Sequence, residues 1–340
     1  MSSQHFDGFN AFVELDEELN SWFDEVGTLS HYETGQKLIL EGDINENIFL
    51  LVDGSFSVNT TDQSGQERCL AELMKGAIVG EMTWLENRPA VASVSAMQPS
   101  SALKVSFDDL NALITKSPNA AAELQRILAK KLALQINSQN VWIHRFSDQE
   151  IELEPLRKVL VFFAGLDDQD VNTLANIGTL RRLKPGDVLI SQGSEVTSLY
   201  LILAGQAEVF VEVDGVNKQV GTSRRGELLG ELSLLLTDDQ GATATVQSLE
   251  GMELMQINKD NLIDVLHDKP LLAEHFYRSL SCMLSQRSRD QLLGQRLASL
   301  SKSSESSISD DSEELDMSQL GGINQAGQRF NRLCEKFRGN

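Results

Sequence analysis

Two glutamates that each follow a glycine are the residues whose type and surroundings could do chemistry. They belong to the pairs Gly80-Glu81 and Gly230-Glu231, which lie 150 residues apart. Each pair opens a short apolar run that is typical of a helical turn, and backbone N–H groups at the start of a helix can face an anion. A carboxylate beside such a turn can accept hydrogen bonds from hydroxyl groups. Alternatively, the glutamate caps the turn and binds no ligand.

Arginines near these pairs are the candidate partners for an anion. A guanidinium forms forked hydrogen bonds with phosphates and stacks on flat rings. An arginine pair at the end of a strand is also typical of a solvated sheet edge, and both interpretations stay open. The candidates are Arg88, Arg181-Arg182 and Arg224-Arg225. Two hydroxyl side chains downstream of the glycine-glutamate pairs complete the set, Ser93 and Thr243.

The segments that must position these residues alternate with period two and carry regular glycines. Gly35–Asp43 and Gly186–Gly193 each predict a turn, a strand and a second turn. Ile48–Val58 and Leu199–Val209 each predict two strands joined at a glycine. Such short strands are typical of a small antiparallel barrel or jelly roll. Because the segments recur at one spacing, we predict that the chain contains this fold twice.

Helical periodicity flanks both predicted barrels. It predicts amphipathic helices within residues 5–26, a capped helix from Ser106, and long helices from about Ala120 to Phe146 and from about Pro270 to Leu300. We therefore predict an α+β protein, mainly β, with two domains in tandem. The predicted segments are an N-terminal helical segment at 1–28, a first domain at 29–146, a second domain at 150–300, an acidic serine-rich linker at 301–316 and a short C-terminal helix or tail at 317–340.

Charge and composition argue against several classes of function. The 340 residues carry a formal net charge of −21, which opposes direct binding to nucleic acid. We find neither a signal peptide nor a run of ~20 apolar residues, which predicts a cytoplasmic chain without membrane contact. The cysteines and histidines lack metal-ligand spacing, so we expect no metal. Kinase, cyclase and phosphodiesterase signatures are missing, so we expect neither catalytic residues nor enzyme activity.

The ordered glycines resemble those of the cyclic nucleotide-binding domain family, over roughly residues 15–145 and 155–300. The resemblance rests on two matching sets: Gly35, Gly42, Gly54 and Gly80-Glu81, and Gly186, Gly193, Gly205 and Gly230-Glu231. It implies two barrels in tandem, as in the regulatory subunits of cyclic-nucleotide-dependent kinases. Crp-like members place a helix-turn-helix after the barrel, and we expect none here, because about 40 mostly acidic residues follow the second domain.

The resemblance also implies roles for the residues of a cassette, which we define as Gly80–Val94 in the first domain and Gly230–Val246 in the second. Glu81 and Glu231 would accept a hydrogen bond from a ribose 2′-hydroxyl, and the N–H groups after them would contact a cyclic phosphate. The phosphate-binding arginine of the family corresponds to Ala90 and Ala242, so both copies lack it. The lost charge-assisted hydrogen bond is worth ~1.5–3 kcal/mol, which argues against cyclic AMP in its usual pose.

Three hypotheses follow for the ligand, and none requires a cofactor. In the first, Arg88 or Arg224-Arg225 replaces the missing arginine. In the second, which we prefer, the regulatory ligand is a cyclic dinucleotide such as cyclic di-GMP, held by the arginine pairs. In the third, both pockets are degenerate and the barrels serve as scaffolds.

We expect the chain to pass its signal on through contact with an effector protein. Phe330, Leu333 and Phe337 fall on one face of a basic C-terminal segment, which suggests residues 317–340 as the contact. The long helices from Ala120 and Pro270 could also pair in a homodimer, and the apolar stripe leaves open whether it packs within or between chains. We predict a non-enzymatic signalling protein that senses a cyclic nucleotide, preferably cyclic di-GMP. The alternatives are a ligand-free scaffold that docks onto a larger assembly and a cyclic AMP sensor.

Overall fold

The computed structural model describes residues 4–5, 9–61, 67–146, 161–213, 215–236, 241–301 and 317–338. Contacts divide the chain into two compact units, each made of two chain segments. Unit 1 is Met1–Ser138 with Leu284–Ser304, and unit 2 is Gln139–Met283 with Glu305–Asn340. The predicted serine-rich linker, apart from its first residue, and the predicted start of the second domain at residue 150 lie outside the described residues.

Unit 1 contains two β-sheets of short strands with helices before and after them. One sheet has the strand order β1-β6-β5-β8-β3 and the other β2-β9-β4-β7. The pair β1–β6 is parallel, and the other strand pairs are antiparallel. The elements in chain order are β1 (Gln4–His5), α1 (Ala11–Glu14), α2 (Glu17–Val26), β2 (Thr28–Tyr32), β3 (Lys37–Ile39), β4 (Asn47–Asp53), β5 (Ser55–Thr61), β6 (Glu67–Met74), β7 (Ile78–Val79), α3 (Glu81–Glu86), β8 (Ser93–Ala96), β9 (Ser100–Ser106), α4 (Phe107–Lys116) and α5 (Pro118–Phe146).

Side chains from both sheets of unit 1 form one buried cluster. Phe49 and Leu51 of β4 lie two residues apart and both contribute to it, because alternate residues of a strand face the same side. Phe56 of β5 is fully buried and contacts the Tyr32 ring edge-on, with the ring centroids 6.1 Å apart. The period-two alternation that predicted the strands is therefore the pattern that fills this core.

Unit 2 repeats the sheet orders of unit 1. Its sheets are β10-β17-β12-β15 and β11-β16-β13-β14, so β10 to β17 take the places of β2 to β9. The predicted duplication and the predicted α+β fold are confirmed. The elements in chain order are α6 (residues 161–164 of the described part), α7 (Asp168–Ile177), β10 (Thr179–Leu183), β11 (Val188–Ile190), β12 (Ser198–Ala204), β13 (Gln206–Val213), β14 (Val216–Arg224), β15 (Leu228–Leu229), α8 (Glu231–Leu235), β16 (Thr245–Ser248), β17 (Met252–Asn258), α9 (Lys259–Asp268), α10 (Pro270–Ser301) and α11 (Met317–Arg338).

The long helices have the positions that their periodicity predicts. The hydroxyl oxygen of Ser106 caps α4 by accepting the N–H of Asp109 at 3.1 Å. The stripe of α5 is buried: Leu124, Ile127, Leu128, Leu132 and Ile136. α10 ends within a residue of the prediction, but its residues from Leu284 belong to unit 1 rather than to the second domain. The amide of Gln135 donates to the Ser288 hydroxyl oxygen at 2.7 Å, one of the contacts that hold this segment in unit 1.

The C-terminal helix α11 is longer than the predicted helix over Gln325–Phe337, and it packs against α7 of unit 2. Ala326, Phe330, Leu333 and Cys334 are buried there. The apolar face that suggested a docking segment is therefore covered by unit 2 itself. Among the described residues, the structure has no helix with the length and apolar character needed to cross a membrane.

Candidate ligand-binding site

Gly80 sets the direction of the chain at the first cassette. Its φ is +92°, and a Cβ at this position would lie 2.5 Å from the carbonyl oxygen of Asn47, so only glycine fits. Helix α3 begins at the next residue, Glu81, which is 2% exposed. Gly230 repeats this conformation with a φ of +84° in unit 2, and Glu231 after it is also buried.

A cavity of about 180 Å³ lies beside α3 in unit 1. Gly80, Glu81 and Ala90 line it, so the first cassette forms part of its wall. Helix α5 adds Lys131 and Gln135. Strand residues supply apolar lining: Ile39, Val58, Leu73, Val79 and Val94. An apolar wall with a few polar groups is the usual composition of a site for a small ligand.

The carboxylate of Glu81 is paired within unit 1. The ammonium of Lys131 on α5 donates to Glu81 Oε1, and the Lys131 side chain is 16% exposed. Burial of a carboxylate is costly without such a partner. The sequence offers one indication that Lys131 belongs to this site. Lys131 lies four residues from both Ile127 and Gln135, so it falls on the buried side of the helix. A ligand hydroxyl at Glu81 would therefore share the carboxylate with Lys131.

The position of the family's phosphate-binding arginine lies on the cavity wall. Ala90 lines the cavity, and its carbonyl oxygen accepts the N–H of Gly42 at 2.8 Å. In unit 2 the carbonyl oxygen of Ala242 accepts the N–H of Gly193 at 2.7 Å, in the same arrangement. Ala242 is buried in the core cluster of unit 2. At these two positions, the cassettes present methyl groups where a cation was expected.

A guanidinium reaches the end of the first cassette from another part of unit 1. Arg289 donates from Nε to Glu86 Oε2 at 2.6 Å and from Nη1 to the carbonyl oxygen of Pro89 at 3.0 Å. The Ser285 hydroxyl donates to the other oxygen of Glu86. Burial raises the pKa of Glu86, while the adjacent Arg289 guanidinium acts in the opposite direction.

Arg289 is 6% exposed and lines the same cavity as Ala90. Its Nη2 atom is buried and has no hydrogen-bond partner among the described residues. Sequence reasoning missed Arg289, because the residue stands 199 positions after Ala90 and no local motif marks it. A contact between residues so far apart in sequence depends on tertiary packing, and the periodicity of a sequence does not reveal tertiary packing.

The other candidate residues of the two cassettes differ in how deeply their side chains are buried. Arg88 has a side chain that is 25% exposed, and its Nη1 lies 4.0 Å from Glu86 Oε2. Ser93 is buried, and its hydroxyl oxygen accepts the N–H of Glu41 at 3.0 Å. Thr243 in unit 2 is exposed. Arg88 thus belongs to the charged group around Glu86, whereas Ser93 holds the loop before β4.

The arginine pairs of unit 2 contact protein groups. Arg181 lies over the Tyr200 ring, 5.8 Å from its centroid. Arg182 is paired with Glu253 at 3.0 Å and its side chain is 66% exposed. Arg224 is half-buried at the end of β14.

Arg225 contacts the C-terminal helix. Its Nη2 donates to Asn331 Oδ1 at 3.0 Å, and its guanidinium stands over the Phe330 ring at 4.9 Å. Its Nε donates to the carbonyl oxygen of Leu203 at 3.1 Å. These three contacts connect β12 and the end of β14 with α11, so Arg225 has a structural role in unit 2.

Asp167, Asp170 and His275 form a group with potential metal-ligand atoms within 4.8 Å of one another. Hydrogen bonds within unit 2 account for the arrangement. Asp167 and Asp170 form a capping box at the start of α7, and the His275 ring is bonded through Nδ1 to Asp170 at 2.7 Å. We therefore assign these residues to the packing of α7 against α10.

The model of the family described as "Cyclic nucleotide-binding domain" matches residues 29–117 and 180–269. The first range covers most of the two sheets and the cassette of unit 1, and the second range covers their repeat in unit 2. The chain belongs to the cyclic nucleotide-binding domain family and contains two such domains in tandem. The predicted family is therefore confirmed.

Two curated proteins are similar to this chain over about two thirds of its length. Over 235 residues the chain is 23% identical to a cGMP-dependent protein kinase of Eimeria tenella, covering 69% of the chain and 20% of the kinase. Over 231 residues it is 23% identical to the cAMP-dependent protein kinase regulatory subunit of Emericella nidulans, covering 66% of the chain and 48% of the subunit. The chain therefore spans less than half the length of these relatives.

Among solved structures, the chain is similar to the regulatory domain of Toxoplasma gondii PKA with cAMP. It is 17% identical to the chain, with a TM-score of 0.30, and the match covers 87% of this chain and 93% of that one.

Proposed function

We propose that this chain is a non-enzymatic regulatory protein that binds a cyclic nucleotide in the cavity of unit 1 and acts through contacts with a partner protein. The observation that carries the proposal is the cavity on the first cassette, where the buried carboxylate of Glu81 meets an apolar wall. A carboxylate suits a ribose hydroxyl, and an apolar wall suits a flat base. Membership of the family supports the same ligand class.

A cyclic mononucleotide is the ligand that we favour for this cavity. Its volume of about 180 Å³ is small beside the ~300–1,000 Å³ of pockets for drug-sized ligands, which favours one nucleotide over two. Cyclic di-GMP, which the arginine pairs favoured in the sequence, is the second candidate. Arg181 over the Tyr200 ring is the observation in its favour, because a stacked guanidinium can extend a platform for a base.

The test is a calorimetric and thermal-shift panel of cyclic AMP, cyclic GMP, cyclic di-GMP and cyclic di-AMP on the full chain. A ligand at 100 times its dissociation constant should add about 2.7 kcal/mol to the free energy of unfolding. For a mononucleotide in unit 1, Glu81→Gln should weaken binding about tenfold, since a hydrogen bond to a charged group is lost. Glu231→Gln, the matched change in unit 2, should leave that affinity unchanged.

Two results would redirect the proposal. If cyclic di-GMP binds, and Arg224→Ala or Arg225→Ala weakens it more than Glu81→Gln does, the site lies in unit 2. If none of the four nucleotides binds, the chain is a scaffold with degenerate pockets. The Lys131–Glu81 pair is the observation that favours the scaffold, because it gives the main acceptor of the pocket a partner within the protein.

The partner protein is expected to contact the exposed side of α11 within residues 317–340. The apolar side of that helix is buried against unit 2, so surface residues such as Glu335 are the ones left for a second protein. Glu335→Arg should release a protein that co-purifies with the full chain, while nucleotide affinity stays the same. If charge reversal across this surface leaves co-purification unchanged, the partner protein binds a different surface.

A further inference from the structure

One nitrogen of Arg289 lacks the partner that a buried charged group requires. Nε and Nη1 are bonded to Glu86 and to the Pro89 carbonyl oxygen, whereas Nη2 has no hydrogen-bond partner in the described part of the chain. A buried donor of a charged group is costly to leave unsatisfied, and native structures contain few of them. Because Arg289 lines the cavity of unit 1, this nitrogen lies at the edge of the space that a ligand would fill.

The neighbours of Arg289 hold its guanidinium in one orientation. Glu86 binds Nε at 2.6 Å, and the Ser285 hydroxyl holds the other oxygen of the same carboxylate. The bond from Nη1 to the Pro89 carbonyl oxygen is a second, independent restraint at 3.0 Å. A donor fixed in this way binds an anion with little further loss of conformational freedom.

The guanidinium of Arg289 lies next to the position of the missing arginine. Pro89, which accepts the bond from Nη1, is the residue immediately before Ala90. Ala90 and Arg289 both line the cavity. The cation therefore stands beside the point where the family's arginine side chain would begin.

The local charge suits an anion, although the chain as a whole is acidic. The ionisable groups of the cavity wall and of α3 with its ion-pair partners comprise three carboxylates, Glu72, Glu81 and Glu86, and four cations, Lys75, Arg88, Lys131 and Arg289. When all seven are ionised, one positive charge remains. A cyclic phosphodiester carries one negative charge, so it neutralises this excess.

We propose that Arg289 is the cation that binds the phosphodiester of the ligand in unit 1, in place of the arginine that the first cassette lacks at Ala90. This inference rests on the proposed function, since it assigns the phosphate contact of the same site. Glu86 and Ser285 are then positioning residues, which act through Arg289.

The experiment compares charged and uncharged ligands on the full chain. Cyclic AMP and cyclic GMP are titrated by calorimetry beside adenosine and guanosine, which lack the phosphate. In the unmodified chain the cyclic nucleotides should bind about 10- to 100-fold more tightly than the nucleosides, the range for one charge-assisted hydrogen bond. Arg289→Gln should abolish this preference and leave nucleoside affinity unchanged.

Two further variants control for folding. Arg289→Gln leaves the buried Glu86 without its closest cation, so Glu86→Gln combined with Arg289→Gln removes both charges and keeps a hydrogen-bonding pair. It should show the same loss of preference. Arg287→Gln, on the same helix but off the cavity wall, should bind like the unmodified chain.

The outcomes separate this inference from the proposed function. If the cyclic nucleotides bind the unmodified chain and the Arg289→Gln chain equally, only the role of Arg289 is overturned. If no cyclic nucleotide binds but inorganic phosphate raises the melting temperature of the unmodified chain and not of the Arg289→Gln chain, the anion site stands and the cyclic-nucleotide function fails. If neither cyclic nucleotides nor phosphate has an effect, both proposals are wrong.

Discussion

Glu81 and Glu86 are buried carboxylates at the two ends of the short helix α3, and each is neutralised by a side chain from a distant part of unit 1. Lys131 of α5 pairs with Glu81, and Arg289 of α10 pairs with Glu86. An isolated buried carboxylate would have to take up a proton or draw in water. The two ion pairs therefore fix the position of α3, and with it the wall of the cavity.

Replacing Lys131 with methionine tests the first of these pairs, because it removes the cation and keeps most of the side-chain length. The free energy of unfolding should fall by about 3 kcal/mol, since Glu81 is left buried without its cation. Urea denaturation followed by tryptophan fluorescence measures this change. Glu81→Gln in the same chain should restore most of the stability. A double variant as unstable as the single one would show that Lys131 stabilises unit 1 in another way.

His275 is the residue of unit 2 that should make stability depend on pH near neutrality. Its bond to Asp170 raises the pKa of the imidazole above 6.5, burial lowers it, and the nearby Glu274 and Asp167 add to the rise. A group with a raised folded-state pKa gives its full stabilisation below its unfolded-state pKa, here pH 6.5. That stabilisation is lost as the pH rises through the folded-state value.

His275→Gln should therefore lower the melting temperature at pH 6 by about 2–4 °C, which corresponds to about 1 kcal/mol for a partly exposed pair. The difference from the unmodified chain should shrink as the pH is raised above 6.5. Thermal unfolding between pH 5.5 and pH 9 measures it, with the exposed His267→Gln as the matched control. A difference that stays constant over this range would contradict the assignment.

At the scale of elements, much of the fold could be predicted because its signals are local. Glycines at barrel corners and period-two alternation recur at one spacing, which identified both domains, and the stripe of α5 identified that helix. The parallel pair β1–β6 could not be predicted, because Gln4–His5 is too short to show a pattern. For α11, periodicity identified the apolar face but not the surface that covers it.

The candidate ligand site was predictable only in part, because some of its contacts are not local. The Gly80-Glu81 pair is a local motif, so its position at the start of a helical turn could be predicted. Lys131 and Arg289 meet that turn through contacts across 50 and 203 residues, and such contacts depend on how whole elements pack. The cations of the site were therefore found only in the structure.

The packing of α11 on unit 2 leads to a prediction for this helix. Phe330 is 5% exposed and contacts the Phe163 ring at 5.3 Å between centroids. Phe330→Ala should lower the free energy of unfolding of unit 2 by about 3 kcal/mol, because it leaves a cavity between α11 and unit 2. Hydrogen exchange of α7 and α11 measures the effect. The exposed Glu335→Ala should change nothing, and an equally small effect of Phe330→Ala would mean that α11 packs only weakly.

For the whole molecule, charge decides which large partners are accessible. The net charge of −21 repels the nucleic acid backbone, and a single positive charge near the cavity does not offset it. A labelled 20-base-pair duplex should show no change in fluorescence anisotropy with the chain at micromolar concentration and about 50 mM salt. Binding that weakens steeply with added salt would reveal a basic surface and would reopen the question of a nucleic acid partner.

Unit 1 is discontinuous in sequence, because residues 284–304 complete it after the whole of the second family match. A fragment cut at residue 146 would keep every residue of the first match, 29–117, and would lose Arg289. Its Glu86 would then have no cation from α10, and its cavity would lack the proposed phosphate contact. If the isolated first domain were assayed, we would expect a weakened affinity for a cyclic nucleotide, and the cut itself would have produced that result.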